Sequence, residues 1–304
     1  MPIPETIQSV AALNLLRHQL GIDLHIAHIN HQLRRTAGTD ERFVKSVADR
    51  LQLPFHSKRV TIRRTSKKSS LEDVARDARQ KALFQIAEKN KITKIALAHT
   101  QDDLAETVLM RIIRGTGLDG IQGIIPCRQF GKFTIVRPLL SVTRKQIEQF
   151  LLKHKVTYRT DPTNKQTVFF RNKIRLKLLP FLEREFNPGV KQALTNLAQT
   201  TAYDYDTLNL TAQKYYAKYV KEAGTKKLIV PLASLKNIPV SIRRILFRRA
   251  CTRLTKNPHS FSLQHILEIE DLIVNRPLNA VVHLPLGIAA QKKKGQLVFT
   301  ARKA

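Results

Sequence analysis

The stretch HTQDDLAETVLMRIIRGTGLDGIQG, residues His99 to Gly123, decides the fold class. It follows a strand-like run, Ile95-Ala96-Leu97-Ala98, and so begins where a parallel sheet delivers residues to a ligand crevice. At about 100° per residue, Ala105, Val108, Leu109 and Ile112 fall on one helix face, the expected buried stripe. Asp103, Glu106, Thr107, Met110 and Arg114 fall on the other. Asp103 and Glu106 are spaced as helical neighbours. Two adjacent carboxylates suit Mg2+ held through oxygen ligands and water, and suit a substrate ammonium group equally. Asp102 or Asp103 also complements a helix N-terminus, so a solvated face with an acidic cap satisfies the same spacing. Gly115 is the expected helix stop.

Working outward, the first half alternates between the two periods. Helices are expected near 5–20, 39–51, 71–89, 102–114 and 143–154, and strands near 23–29, 54–60, 93–98 and 133–136. Such alternation predicts an α/β fold with a doubly wound, mainly parallel sheet. Pro180 and Asn187-Pro188-Gly189 mark a break, giving domains 1–187 and 188–304. The second reads as smaller and mainly helical, over 190–222, 240–256 and 262–273, with short strands near 227–232, 280–285 and 296–300. No internal repeat or low-complexity tract interrupts the chain.

Lys and Arg number 53 against 23 Asp and Glu, a formal charge of +30. That excess attracts polyanions in a salt-dependent way but carries no sequence information by itself. No apolar run approaches a membrane span, and no signal peptide is apparent at the start, so no membrane partner is expected. Cys127 and Cys251 are too few for a disulfide framework or a cysteine zinc site. The basic run Arg63-Arg64-Thr65-Ser66-Lys67-Lys68 reads either as a solvated loop or as an RNA-backbone contact. Arg243 and Arg244, with Arg248 and Arg249, put one basic side on a helix and leave the same two readings.

The segment 99–123 resembles the nucleotide-site segment of the tRNA(Ile)-lysidine synthetases, which are PP-loop N-type ATP pyrophosphatases. Their pattern there is roughly HHxDDQxETxLxRxxRGxGxxGLxGM. His99, Asp102, Asp103, Glu106, Thr107, Arg111, Arg114, Gly115, Gly117, Gly120 and Gly123 match it; Thr100, Leu104 and Ile124 depart from it. His28-Ile29-Asn30-His31-Gln32-Leu33-Arg34 is similar to the family's HVNHGLR. Glu72 to Arg79 is similar to its ExxARxxRY helix, and Arg137-Pro138-Leu139-Leu140 to its RPLL turn. Asp161-Pro162-Thr163-Asn164 and Arg171-Asn172-Lys173-Ile174-Arg175 are similar to its D-x-x-N and RNxIR elements. The likeness is strong over about residues 9 to 200 and weak beyond.

The resemblance implies ATP-dependent adenylation of the wobble cytidine in a CAU anticodon, followed by ligation of free L-lysine. It implies ATP and Mg2+ as cofactors and tRNA(Ile) as partner, in the cytoplasm or a plastid stroma, with a homodimer left open. It places Asp103, Glu106, Arg79 and Arg171 in the catalytic set and Asp102 with Asp103 on the metal. Glu106 would orient lysine or assist its deprotonation. Ser9, His28, His99 and Gly115 would contact the nucleotide, and Arg63, Arg64, Lys67, Lys68, Arg243 and Arg244 would contact RNA. Arginine suits these phosphates because its planar fork donates paired hydrogen bonds and keeps its charge. PP-loop tRNA thiolases carry paired cysteines, and the chain has no CxxC, which disfavours thiolation.

One departure matters. The family begins with a strand and an SGGxDS loop whose main-chain N–H groups approach pyrophosphate. Here Pro4, Glu5, Thr6, Ile7, Gln8 and Ser9 align with that loop, and only Ser9 survives. Pro4 lacks a donor, Glu5 brings negative charge, and Gln8 cannot replace a carboxylate ligand. We expect the start given to lie inside a longer reading frame, with the sheet's central first strand missing. The alternatives are a pseudoenzyme that binds tRNA and another PP-loop tRNA modifier.

Overall fold

The computed structural model describes residues 10, 13–14, 17, 19–30, 37–61, 71–154, 170–255 and 261–301. Two compact units emerge, one of 1–116 with 120–199 and one of 117–119 with 200–304. Asn187-Pro188-Gly189 is a helix–helix corner inside the first unit. There the Gly189 N–H donates to Asn187 Oδ1 at 2.8 Å.

In the first unit β1 (Ile26–Asn30) and β2 (Phe55–Arg59) pair in parallel, joined through helix α1 (Ala37–Arg50). Ile26, Val44, Ala48 and Leu53 form the small core beneath them. Helix α2 (Leu71–Lys89) crosses to β3 (Lys94–Ala96), which pairs in parallel with β5 (Phe133–Val136). The hairpin strand β4 (Cys127–Phe130), which periodicity does not reveal, lies antiparallel to β5 and turns at Gly131, φ +56°. The order is therefore β1-β2 in one sheet and β3-β5-β4 in another. The single doubly wound layer expected from the alternation is present in two pieces. Helix α2 packs against β1, β2 and β3 and so spans both. Among the described residues, β1 and β3 are each an end strand of their sheet.

Helix α3 (Gln101–Arg114) follows β3. Thr100 caps it: its Oγ1 accepts from the Asp103 N–H, and Asp103 Oδ2 accepts from the Thr100 N–H at 2.9 Å, a reciprocal capping box. It stops at Gly115, φ +77°, as expected. Leu104 and Val108 are buried with Leu140 and Ala198. Gly123 lies so close to them that a Cβ there would stand 2.6 Å from Leu104 Cδ1. The expected stripe fails at its end, since Ile112 is 42% exposed. The opposite face is buried at Asp103 and Glu106, because helices from later in the chain cover it.

Helix α4 (Arg144–Lys153) begins at a second capping box, Thr143 with Gln146. Helix α5 (Phe170–Lys173) runs through a π-helical turn (Ile174–Leu178) into α6 (Leu179–Glu185). The 30-residue helix α7 (Val190–Tyr219) follows.

The second unit is more strand-rich than its sequence pattern suggests. Five strands run in the order β6-β7-β10-β9-β8, all antiparallel: β6 (Lys221–Glu222), β7 (Lys227–Pro231), β8 (Val281–Leu284), β9 (Ile288–Lys293) and β10 (Gln296–Ala301). Helices α8 (Leu232–Lys236), α9 (Val240–Thr255) and α10 (Leu263–Val274) pack on it. Leu246, Phe247, Ile269, Leu297 and Phe299 form its centre. No helix among the described residues is long and apolar enough to cross a membrane.

Phe247 is fully buried against Phe299, their ring centroids 6.1 Å apart. Phe247→Ala should cost about 3–5 kcal/mol in urea unfolding, the range for a buried aromatic truncated to a cavity. A loss under about 1 kcal/mol would contradict a packed core at that ring.

Candidate active site

The capping box that starts α3 also aims its carboxylates. Asp103 is held by Thr100 on one oxygen: Oδ2 accepts from the main-chain N–H and from Oγ1, both at 2.9 Å. Its other oxygen, Oδ1, accepts from Arg144 Nη2 at 2.8 Å, Arg171 Nη2 at 2.9 Å and Arg175 Nη2 at 3.2 Å. One turn on, Glu106 Oε1 accepts from Arg175 Nε at 2.6 Å and Arg144 Nη1 at 3.4 Å. Its Oε2 accepts from Arg171 Nε at 2.9 Å and Arg175 Nη2 at 3.0 Å. Three arginines from two later helical segments thus converge on two carboxylates of α3. Arg171 and Arg175, four residues apart across the start of the π-helical turn, share one helix face.

Both carboxylates are buried, and Asp103 is held ionised. Burial by itself would raise the Asp103 carboxyl. Arg171, then Arg144, the Thr100 main-chain hydrogen bond and Arg175 outweigh it and hold the group below the usual carboxylate range. Asp102 faces elsewhere. Its Oδ2 accepts from the main-chain N–H of Arg144 at 2.8 Å, at the first turn of α4, and its Oδ1 lies 3.2 Å from Lys191 Nζ. Lys191 also meets Glu183 at 3.1 Å, and these two acids overcome burial and raise its pKa. Gln101 Nε2 donates to Gln192 Oε1 at 2.5 Å. The start of α3 is therefore fastened to the starts of α4 and α7.

His99 is the other expected site residue that lands here. Arg137 Nε donates to its Nδ1 at 3.2 Å, which leaves the proton on Nε2. Burial, partly opposed by Asp103 and reinforced by Arg137, Arg171 and Arg79, lowers its pKa to about 3. His99 is a neutral ring at pH 7. The charge of Arg79, on α2, also disfavours protonation of this imidazole.

Other expectations land differently. His28 sits within β1, where burial lowers its pKa against the pull of Glu41 and Asp40 of α1. Gly115 serves as the stop of α3, with open space around its Cα. In the second unit Arg243 and Arg244 both clasp Glu270, at 3.3 and 2.9 Å, so the pair suggested for RNA contact fastens α9 to α10. Ser9, Arg63, Arg64, Lys67 and Lys68 lie outside the described residues. Sequence reading missed Arg144, Arg175, Arg137 and Lys191. Arg175 closes the RNKIR element, and Arg144 follows a helix cap, but neither spacing reveals a partner some 40 to 70 residues away.

The expected metal site does not fit this arrangement. All four oxygens of Asp102 and Asp103 accept from protein donors, and three of the four face cationic side chains or a helix N-terminus. A dication there would displace guanidinium groups and meet their charge. No group of three or more metal-ligating side chains occurs among the described residues. Glu106, with both oxygens engaged, is likewise closed to a lysine ammonium in this state.

These pKa shifts set a pH dependence. The unfolded chain takes up a proton at His99 below about pH 6.5, and the folded chain does so only near 3. Stability from this residue is complete above 6.5 and falls by up to about 1.4 kcal/mol per pH unit as pH drops toward 3. Asp103 adds acid lability in the same direction below its unfolded pKa of about 3.9. His99→Gln should flatten urea-midpoint profiles between pH 6.5 and 4.5; an unchanged slope would place the ring in water.

The PP-loop domain family matches residues 7–182. Curated relatives include a "tRNA(Ile)-lysidine synthase" of Clostridium acetobutylicum, 33% identical over 97% of this chain and 63% of its own. Another of the same name, from Geobacter sulfurreducens, is 33% identical with the same two coverages. The chain thus spans somewhat under two thirds of these relatives' length. Among solved structures, the U34-tRNA thiolase NcsA from Methanococcus maripaludis, with its [4Fe-4S] cluster, superposes at a TM-score of 0.52. Its sequence identity is 16%, covering 64% of this chain and 68% of that one, a likeness of fold. With more than half of its length matched, the chain belongs to the PP-loop domain family.

Proposed function

We propose that this chain is the catalytic portion of a tRNA(Ile)-lysidine synthase. The observation that carries the reading is 33% identity over nearly the whole chain to relatives of that name. The arginine-rich site where β3 hands over to α3 supports it. In the first step the C2 oxygen of the wobble cytidine of a CAU anticodon attacks the α-phosphate of ATP. An O–P bond forms, the α–β bridge breaks, and pyrophosphate leaves. In the second step the ε-amine of L-lysine attacks C2, a C–N bond forms, AMP leaves, and the amine gives up a proton.

Such transfers depend on positioning and on stabilising phosphate charge. Arg171, with Arg79 nearby, is suited to phosphate and adenylate charge, and neutral His99 lines the pocket without adding to it. Magnesium enters as the usual companion of ATP phosphates, with no carboxylate of this site assigned to it. Residues 1–187 carry the chemistry in this reading, and 188–304 add contacts to tRNA, drawing on the +30 charge. A cytoplasmic setting and no membrane partner accompany it.

The test is lysine incorporation. The protein is incubated with unmodified tRNA(Ile)(CAU), Mg·ATP and radiolabelled lysine, and label is counted in the RNA. Label that requires ATP is the expected outcome. Lysine-independent modification of the tRNA would instead mark a different PP-loop modifier. Tight tRNA binding with no label would favour the binding-protein reading, which the replacement of SGGxDS by Pro4 to Ser9 motivates.

A further inference from the structure

We infer that the outer face of the second unit's sheet, turned away from α8, α9 and α10, docks the phosphate backbone of RNA. The inference rests on the proposed function for one point, that the RNA is a tRNA. It goes further by naming the surface.

Strand alternation separates the two faces of the sheet. Leu228, Val230, Val282, Leu297 and Phe299 point into the core beneath the helices. The strand registers then put Lys221, Ile229 and Val298 on the outer face, together with Lys227, His283 and Lys293. The middle of that face is small and uncharged, with Val298 and Ala289 buried. Its margin is basic: Lys221, Lys227, His283 and Lys293 are all exposed. At about 4.8 Å per strand, Lys227 on β7 and His283 on β8 stand about 14 Å apart.

The placement of the acids carries the argument. Residues 220–304 contain only four: Glu222, Glu268, Glu270 and Asp271. Arg253 holds Glu222 at 2.8 Å, Arg243 and Arg244 hold Glu270, and Arg276 holds both Glu268 and Asp271. Glu222, opposite Leu228 in the ladder, points to the helix side, and the other three acids lie on α10. Among the described residues no carboxylate pairs with Lys221, Lys227 or Lys293. Arginines and acids thus offset one another on the helix side, while the lysines of the outer face keep their full charge. The basic side of α9 is committed within the fold, since Arg248 and Arg249 donate to Phe261 O and Asn209 Oδ1.

The chemistry of the face selects the partner. It carries no Phe, Tyr or Trp, so unstacked bases find no platform there. Lysine is a compact charge on a flexible stem, suited to phosphates without demanding a fixed geometry. A basic margin around a flat uncharged floor therefore fits the backbone of a folded RNA, which it would position without reading sequence.

The test compares two triple variants of the full chain, each removing three positive charges. One combines Lys221→Gln, Lys227→Gln and Lys293→Gln on the outer face. The other combines Lys214→Gln, Lys218→Gln and Lys236→Gln on α7 and α8. Thermal unfolding checks that both are folded. Unmodified tRNA(Ile) is titrated without ATP or lysine between about 50 and about 200 mM salt. The outer-face variant should bind about tenfold more weakly at low salt, with the slope of log affinity against log salt reduced by about 2 to 3. The α7–α8 variant should stay within about twofold of wild type. Equal weakening in both variants would show an effect of net charge alone and overturn the inference. So would an outer-face variant that binds normally, or a wild-type chain that binds no tRNA. Vesicles of anionic phospholipid are titrated in parallel; loss confined to them would assign the face to a lipid surface and overturn it as well. Failed lysine incorporation with this binding pattern intact would count against the proposed function alone. Normal incorporation with normal binding by the outer-face variant would count against this inference alone.

Discussion

The ionised carboxylate of Asp103 is the constraint around which the first unit is arranged. An ionised acid that is almost wholly buried persists only with cations and hydrogen bonds on every side, and here three arginines and a helix cap supply them. Meeting that demand draws α4 and the α5 segment with its π-helical turn onto the N-terminal half of α3. Removing a single partner from such a cluster typically costs about 3–5 kcal/mol, so segments distant in sequence are tied together by one side chain. The same bonds that satisfy the acid fix the arginines.

The three consecutive polar residues at the start of α3 divide their work. Gln101 and Asp102 fasten the helix to α7 and α4, while Asp103 both completes the capping box with Thr100 and forms the floor of the arginine cluster. An acidic pair in a sequence thus need not be a metal site. Whether a carboxylate meets a metal, a substrate amine or a guanidinium depends on which cations the fold brings within reach, and here the chain supplies its own.

The division of the parallel sheet has a related physical meaning. Among the described residues β1 and β3 are end strands, each with one edge outside the ladder of its own sheet, beneath a helix that touches both. Unmatched edges under a common helix are costly in a packed domain. The second unit avoids the problem by local pairing. Its four longer strands form an antiparallel run in which β8, β9 and β10 are neighbours in sequence. Arginines of α9 serve there as fasteners: Arg243 and Arg244 share the single carboxylate of Glu270, which offsets one of their two charges and ties α9 to α10.

The sequence by itself determined the alternation of helix and strand, the stop of α3 at Gly115, and the family; the cap at Thr100, ahead of the acids the sequence offered, came from the structure. The alternation and the stop follow from local chemistry: side-chain periodicity and a glycine where φ turns positive. It also marked Asp103, Glu106, His99 and Arg171 as site residues, because their spacing matches a motif. Tertiary structure decided what those residues do. Ile112 is exposed and Glu106 buried, opposite to the helical projection, because the burial of a face depends on what packs against it. Strands β4, β6 and β9 escaped periodicity because their pairing partners, not their own pattern, make them strands. Arg144 and Arg175 joined the site across some 40 to 70 residues, a distance no local rule spans, because a buried carboxylate must find its cations wherever the fold brings them.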